Sequence, residues 1–300
     1  MSNTIITPSV MASRALATLY NTIVLAGLVY RDYDEEFAGK QGDTITVRTP
    51  ASFTVDEFTS SINVQNITEG SFTVQLDKHL DVSVGVTAKE LTLSLDDFAE
   101  RVLDPIVNAF AQDIDGRLAE DLVDAAEGSG GGGTTSSGSS TVSLPFRDAR
   151  ATLSRNKLPL TERFAVLSPE AVSKCLGDDL FVAADKSGST DGLREASLGR
   201  KFGFDCFESQ TFGYGAGDKG QADGVAFHRQ AVALVTRTLE PPMGVAPNQV
   251  SVQSFEGIGL RVVRGYDMDS KTDVVSVDLL LGVKKLRVAG AVQQTWGLGS

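Results

Sequence analysis

Side chains able to do acid–base, redox or metal chemistry are scarce in this sequence. Histidine occurs only at His79 and His228, and cysteine only at Cys175 and Cys206. Structural zinc wants four Cys or His ligands at close spacing, and no CxxC…HxxxH pattern can be written here. His228 is followed by Arg229 and serines are plentiful, but a Ser-His-Asp triad is defined in space. No G-x-S-x-G elbow occurs, so His228 reads as a hydrogen-bonded structural histidine at a strand end. His79 falls in an extended strand, away from any cleft the pattern suggests. Asp267, Asp269 and Asp273 have the look of a calcium loop, but Lys271 stands where that loop needs an oxygen ligand. The segment reads instead as a hairpin turn. Gly128, Gly130 and Gly133 satisfy G-x-G-x-x-G, yet a dinucleotide fingerprint must follow a strand and open a helix. Lys219 is followed by Gly220 where a phosphate-binding loop needs Ser or Thr. The basic cluster Lys284, Lys285 and Arg287 reads as a solvated edge or a contact with a neighbour's carboxylates. Asn66-Ile67-Thr68 matches a glycosylation acceptor but has no secretory signal beside it. The sequence therefore predicts no catalytic residue, no cofactor and no metal site.

The bulk properties agree. The chain has 300 residues, of which 41% are hydrophobic and 22% charged, ordinary for a globular protein able to bury a core without disulfides. Lys and Arg number 27 against 39 Asp and Glu, a net charge of −12. That balance argues against a surface that grips phosphate backbones. Two cysteines are too few for a secreted disulfide scaffold and suit a reducing compartment. Met1 to Ile6 lacks the basic and apolar regions of a signal peptide. The apolar stretch from Ile23 to Tyr30 falls far short of the roughly 20 residues that span a bilayer. The expectation is a soluble chain with no membrane partner.

Elements follow from periodicity. Thr7 and Pro8 suit a helix entry, and Leu16, Leu19, Tyr20, Ile23 and Val24 lie on one helical face, with Gly27 as a stop. This stripe packs either between subunits or on its own subunit's core. Asp32 to Glu36 is an acidic, solvated run. Asp43 to Arg48 alternates as a strand that Pro50 ends. Phe72, Val74, Leu76, Leu80, Val82, Val84 and Val86 then alternate over fifteen residues, which at about 3.3 Å each would reach roughly 50 Å. Either that strand bends, or residues 48–80 form a two-stranded arm that leaves the body and needs a partner to lie on. Ser94 to Asp97 resembles a capping box. The register Phe98, Val102, Ile106, Phe110, Ile114, Leu118, Leu122 marks a long helix, kinked or restarted at Asp104-Pro105. Its apolar stripe winds, so the helix is a spine that touches different partners along its length. Residues 128–141 carry neither charge nor a large apolar side chain and read as a linker or surface loop. Beyond them lies mixed α+β structure: a basic helix at 146–157, a strand at 164–167, a helix entered at Ser168-Pro169, and strands at 250–255, 260–263 and 274–283. Extended pieces with no core of their own point to a structural protein that assembles with itself.

Several stretches carry a family resemblance. Asn3 to Val10, Ala26 to Tyr33, Gly42 to Arg48, Leu76 to Val82, Lys89 to Leu93, Ala226 to Arg229 and Arg264 to Val275 resemble the major capsid (coat) proteins of tailed double-stranded-DNA bacteriophages. The likeness is to the coat-protein family of the short-tailed Salmonella phages, and it runs from residue 3 to about 290. It implies an α+β Hong Kong 97-type capsid fold with an N-terminal arm, extended β loop, long spine helix, and peripheral and axial domains. The implied divisions are an arm at 1–36, peripheral strands at 37–93 with the loop at about 48–80, and a spine helix at 94–127. There follow a Gly/Ser-rich loop at 128–145, a peripheral helix at 146–159, an axial domain at 160–245, and C-terminal strands at 246–300 returning to the peripheral domain. The stretch from Leu167 to Pro241 is too short for the long inserted domain of the best-known members. The resemblance further implies hexamers and pentamers in an icosahedral head, made in the bacterial host cytoplasm. Scaffolding protein and portal would be partners, and double-stranded DNA would be enclosed without specific binding. An encapsulin-like compartment shell is the alternative. Candidate self-assembly contacts are Leu16, Leu19, Ile23 and Val24 on the first helix, and Phe53, Phe58 and Phe72 on the loop.

Overall fold

A computed structural model describes residues 8–32, 44–49, 55, 57, 70–86, 102–127, 134–135, 142–183, 195–212, 223–242, 246, 249–255, 258–267, 272–286 and 291–295. Helix α1 spans Pro8–Thr22 and buries Met11, Ala12, Ala15, Leu16 and Leu19, the stripe expected of a helix with one apolar face. A 3-10 turn at Leu25–Gly27 follows. The chain then bridges in parallel to a later strand, with Tyr30 opposite Ala233. Residues 8–30 are thus built into the subunit and do not reach away from it as an arm.

The long alternating run resolves into two strands. β1 (Thr44–Thr49) and β2 (Gly70–Gln75) form an antiparallel ladder of their own, Thr44 opposite Gln75 and Thr49 opposite Gly70. β3 (Lys78–Val86) leaves that ladder and pairs with β12 (Thr272–Lys285), Val86 opposite Asp273 and Lys78 opposite Leu281. The strand changes sheets at Leu76-Asp77, so the fifteen-residue pattern is one strand's alternation handed from one sheet to another. His79 therefore lies in the body of the subunit and not on a projecting strand.

β12 is the axis of the first sheet. β9 (Val232–Arg237), β10 (Val250–Phe255) and β11 (Ile258–Asp267) complete it, in the order β10-β11-β12-β3 with β9 on β12. β11 and β12 pair antiparallel out to Asp267 opposite Thr272, and residues 268–271, where the sequence predicts the turn, lie outside the described residues. Val275, Val277, Leu279 and Leu281 point to one face, against α1 and the spine helix α2 (Asp104–Glu127). Pro105 sits in the first turn of α2, directly after a π-helical stretch at residues 102–103, so the helical register changes at Asp104-Pro105. The capping box proposed at Ser94–Asp97 lies outside the described residues. The 24-residue α2 is about 36 Å long and contacts α1, β12, β9, β8 and β13 in turn, as its winding stripe predicts.

The second sheet has the order β4-β13-β8-β5-β7-β6. Its strands are Thr134–Thr135, Ala291–Thr295, Gly224–His228, Arg163–Leu167, Phe204–Glu208 and Arg200–Lys201. Val166, Val225, Phe227 and Ala291 face α2. Ala165, Leu167, Ala226 and Val292 face a layer made by α3 (Leu144–Arg155), α4 (Pro169–Leu176) and α5 (Asp179–Val182). Both faces are covered, which is why β5 and β8 read as continuous apolar runs. Two placements differ from the expected divisions. α3 belongs to this layer, packed on β13 and β8, and not to the first sheet. The last strand, β13, joins the second sheet, so the C-terminal strands do not all return to the first. Within the Gly/Ser-rich segment, Thr134–Thr135 pairs with β13 as an edge strand.

Two close approaches demand glycine or strain. A Cβ on Gly282 would lie 2.1 Å from the Gln75 carbonyl oxygen, so only glycine lets β12 pass under the corner of the β1–β2 ladder. At the β6–β7 hairpin both central residues have positive φ, Phe202 at 52° and Gly203 at 90°, the geometry of a primed turn. Phe202 holds that conformation because its ring stacks on Phe146 at 5.8 Å and its carbonyl accepts from Arg150 Nη1 at 2.8 Å.

Candidate assembly surfaces

The polar side chains are used to tie elements together. Asp115 on α2 is buried, and its carboxylate accepts from Val24 N at 3.0 Å and Leu25 N at 3.1 Å. It caps the 3-10 turn and locks the N-terminal segment to the spine. Burial pushes its carboxyl above the usual aspartate range, and the backbone N–H groups of residues 24–26 pull the other way. An open cleft of about 370 Å³ lies between Val24, Gln112 and Asp115 on one side and Glu208 to Thr211 on the other. Asp115 is spent on backbone donors, so the cleft holds no free acid–base pair with it.

Lys285 meets Asp124 at 2.9 Å and Asp121 at 3.6 Å, both on α2. Of the basic cluster, Lys285 thus contacts carboxylates of its own subunit, Lys284 is exposed, and Arg287 lies outside the described residues. Arg261 chelates Asp278 across the β11–β12 ladder, Nε to Oδ1 at 2.8 Å with Nη2 on Oδ2, and its Nη1 donates to the Glu240 carbonyl at 2.6 Å. His79 Nε2 lies 3.5 Å from the same Asp278. The Asp278 lone pairs are therefore committed to a structural cation. His228 is buried, and its Nδ1 accepts from Gln230 N at 3.2 Å, capping the Arg229–Ala231 turn as a structural histidine does. Arg163 is buried with Nε and Nη2 on the Pro159 and Leu158 carbonyls at 2.7 and 2.9 Å, which pins the α3–β5 loop. Burial lowers its tendency to hold the proton. Cys175 and Cys206 lie in the second core as free thiols, both pushed up to about 12 by burial. Thiols with so little thiolate are poor nucleophiles and poor metal ligands at neutral pH. Among the described residues no group of three His, Cys, Asp or Glu side chains could hold a metal ion, and no helix is long and apolar enough to cross a membrane.

The seven candidate contacts fall in different places. Leu19 is fully buried and Leu16 is 7% exposed, both within the subunit's own core against α2, β10 and β11. Of the two packings open to this stripe, the described one is internal, and these two side chains have almost no surface to offer a neighbour. Ile23 and Val24 are half-buried beside α2. Phe72 is half-buried on the small core of Ile45, Val74, Leu76 and Val235 that fixes the β1–β2 ladder to β9. Phe53 and Phe58 lie outside the described residues. Exposed apolar side chains that periodicity did not single out include Leu160, Tyr266, Phe207 and Leu180. Leu160, between Pro159 and Thr161, had a signal: an isolated leucine in a turn has no core face to fill.

Two sheets sharing a long spine helix, with a two-stranded ladder set off at one corner, form the α+β Hong Kong 97-type fold of capsid proteins. Among solved structures, the chain is similar to one from Mycobacterium phage Che8 at 22% identity, covering 90% of both chains with a TM-score of 0.67. It is similar to the capsid of the cyanophage P-SCSP1u at 14% identity, covering 90% and 87% of the two chains with a TM-score of 0.63. A virus-like particle from Pyrococcus furiosus matches less well, at 11% identity and a TM-score of 0.52 over 95% and 97% of the two chains. No family model and no curated protein matches the chain.

Proposed function

We propose that the chain is the major capsid protein of a tailed double-stranded-DNA phage, and that it assembles with itself into the hexamers and pentamers of an icosahedral head. The observation that carries this reading is the likeness to phage capsid structures, which covers 90% and 92% of the chain in two of them. Its role is structural and not enzymatic, in keeping with polar side chains committed to internal ties. α1, α2, β3 and β9–β12 form the peripheral unit, the six-stranded sheet with α3–α5 forms the axial unit, and β1–β2 is the base of the extended loop. The sequence stretches quoted above favour the coat-protein family of the short-tailed Salmonella phages. Scaffolding protein and portal are then its partners, synthesis is in the host cytoplasm, and the packaged DNA is lined by an acidic wall that does not bind it specifically.

The second reading, an encapsulin-like compartment, is favoured only by the likeness to the Pyrococcus particle and is the weaker match. Electron microscopy of the purified chain tests the shared part: closed shells with fivefold vertices are expected, and a protein that stays monomeric at high concentration refutes it. Portal, scaffold and terminase genes beside the coding sequence favour the phage head, and a gene for a cargo enzyme favours the compartment.

A further inference from the structure

The helical layer over the second sheet separates its charges. The outward face of α3 carries Arg147, Arg150 and Arg155, and Lys157 follows in the turn, all exposed. Only Asp148, half-buried at the edge of that face, opposes them. Several cations elsewhere in the described residues are matched within the subunit: Arg117 with Asp113, Arg200 with Asp205, Arg261 with Asp278, Arg264 with Asp273, and Lys285 with two aspartates. Arg147, Arg155 and Lys157 meet no carboxylate among the described residues, and Arg150 reaches only the Phe202 carbonyl. In a chain of net charge −12, this is a local reversal of sign. Beside it stands Leu160, 60% exposed on a loop held by the buried Arg163 and containing two residues at positive φ, Lys157 and Glu162. A rigid loop that presents a leucine next to arginines has the make-up of an interface anchor with a charged surround.

The same layer carries the complement. Glu170 opens α4, Asp178 caps α5 with its Oδ1 accepting from Leu180 N at 2.9 Å, and Asp179 and Leu180, the latter 37% exposed, begin that helix. Lys174 is the one cation within these two short helices. Thus one copy offers cations and a leucine, and a second copy offers carboxylates and a leucine.

We infer that the α3 face of one subunit, Arg147, Arg150, Arg155 and Lys157 with Leu160, docks on the Glu170–Asp178–Asp179 corner of a second copy, head to tail. The contact joins two different patches, so it is heterologous, the kind of contact from which rings are built when the rotation closes. Arginine suits it because the guanidinium fork binds carboxylates bidentately. Phosphate would satisfy the arginines equally, but it gives Leu160 nothing to bury against, so a protein surface fits better than nucleic acid. This inference rests on the shell-forming reading.

The test uses the full chain in four forms: wild type, Arg147→Glu with Arg155→Glu, Glu170→Lys with Asp179→Lys, and all four changes together. Each is checked for native circular dichroism, then for assembly by sedimentation and electron microscopy. Each pair of reversals sets like charges across the contact and should cut the assembled fraction about tenfold or more. The fourfold variant, which restores opposite signs, should recover most of it, and wild-type assembly should weaken as salt is raised. If the wild type assembles and the reversals leave it unchanged, or the fourfold variant fails to recover, the contact is refuted while the shell reading stands. If the wild type itself never assembles, the shell reading falls and the contact with it. Salt-sensitive binding of the wild type to duplex DNA that the arginine reversals abolish, without a defect in assembly, assigns the face to nucleic acid and also overturns the proposal.

Discussion

Asp115 offers the sharpest test of how the N-terminal segment is held. In Asp115→Asn the side chain keeps its shape, but the two oxygens serve two different donors, Val24 N and Leu25 N. An amide can accept from one of them only and must turn its NH₂ toward the other. That leaves a buried N–H facing a donor, at a cost of about 1–3 kcal/mol. Replacing a buried carboxylate by a neutral amide returns part of its desolvation cost, so we expect a net loss of about 1–2 kcal/mol. For a chain of this size that lowers Tm by roughly 2–3 °C. Asp115→Ala, which strands both donors, should lose more. The pH dependence is specific. A carboxyl raised in the folded state binds protons more readily there than when unfolded. Its stabilising contribution is therefore complete below 3.8, the ordinary aspartate value, and is lost as pH rises through the higher folded value. The gap between wild type and Asp115→Asn should then widen as pH falls through that window. Urea unfolding of the unassembled subunit, followed by circular dichroism from pH 7 to pH 4, measures both. Equal stability of wild type and Asp115→Asn across the range, with no change of the gap with pH, would refute the account.

Three further outcomes follow from the packing. Leu19→Asp places a carboxylate in the subunit's own core, where Leu19 is fully buried, and should cost several kcal/mol and unfold the monomer; a native-like mutant monomer would contradict this. Gly282→Ala drives a methyl into the Gln75 carbonyl and should detach the β1–β2 ladder or abolish soluble expression, whereas a wild-type Tm would show that the corner yields freely. Cys175 and Cys206 should resist alkylation at pH 8 in the folded subunit and react promptly in urea. Their raised values also mean that stability is lost as pH climbs from 9.0 toward about 12, and fast native labelling would refute the burial.

Local pattern determined a good part of this molecule. The stripe from Leu16 to Val24, the winding register of α2 and the alternation ending at Val86 are all visible in the sequence, because the periods 3.6 and 2 are set by backbone geometry alone. The structural role of His228 was legible for a similar reason: a histidine at a strand end finds a backbone donor nearby. Periodicity names the face that is buried, but not what covers it. The same alternation runs through Leu76, so only the two ladders reveal that β2 and β3 belong to different sheets. Nothing local says that β13 returns to the second sheet while β12 stays in the first. Nor does it say that Lys285 spends its charge on the spine helix, or that Asp115 finds its donors 90 residues away in sequence. The tertiary structure decided these pairings because each joins groups remote along the chain. Their cost or gain depends on the distance and burial that packing sets, and neither quantity is written in the order of the residues.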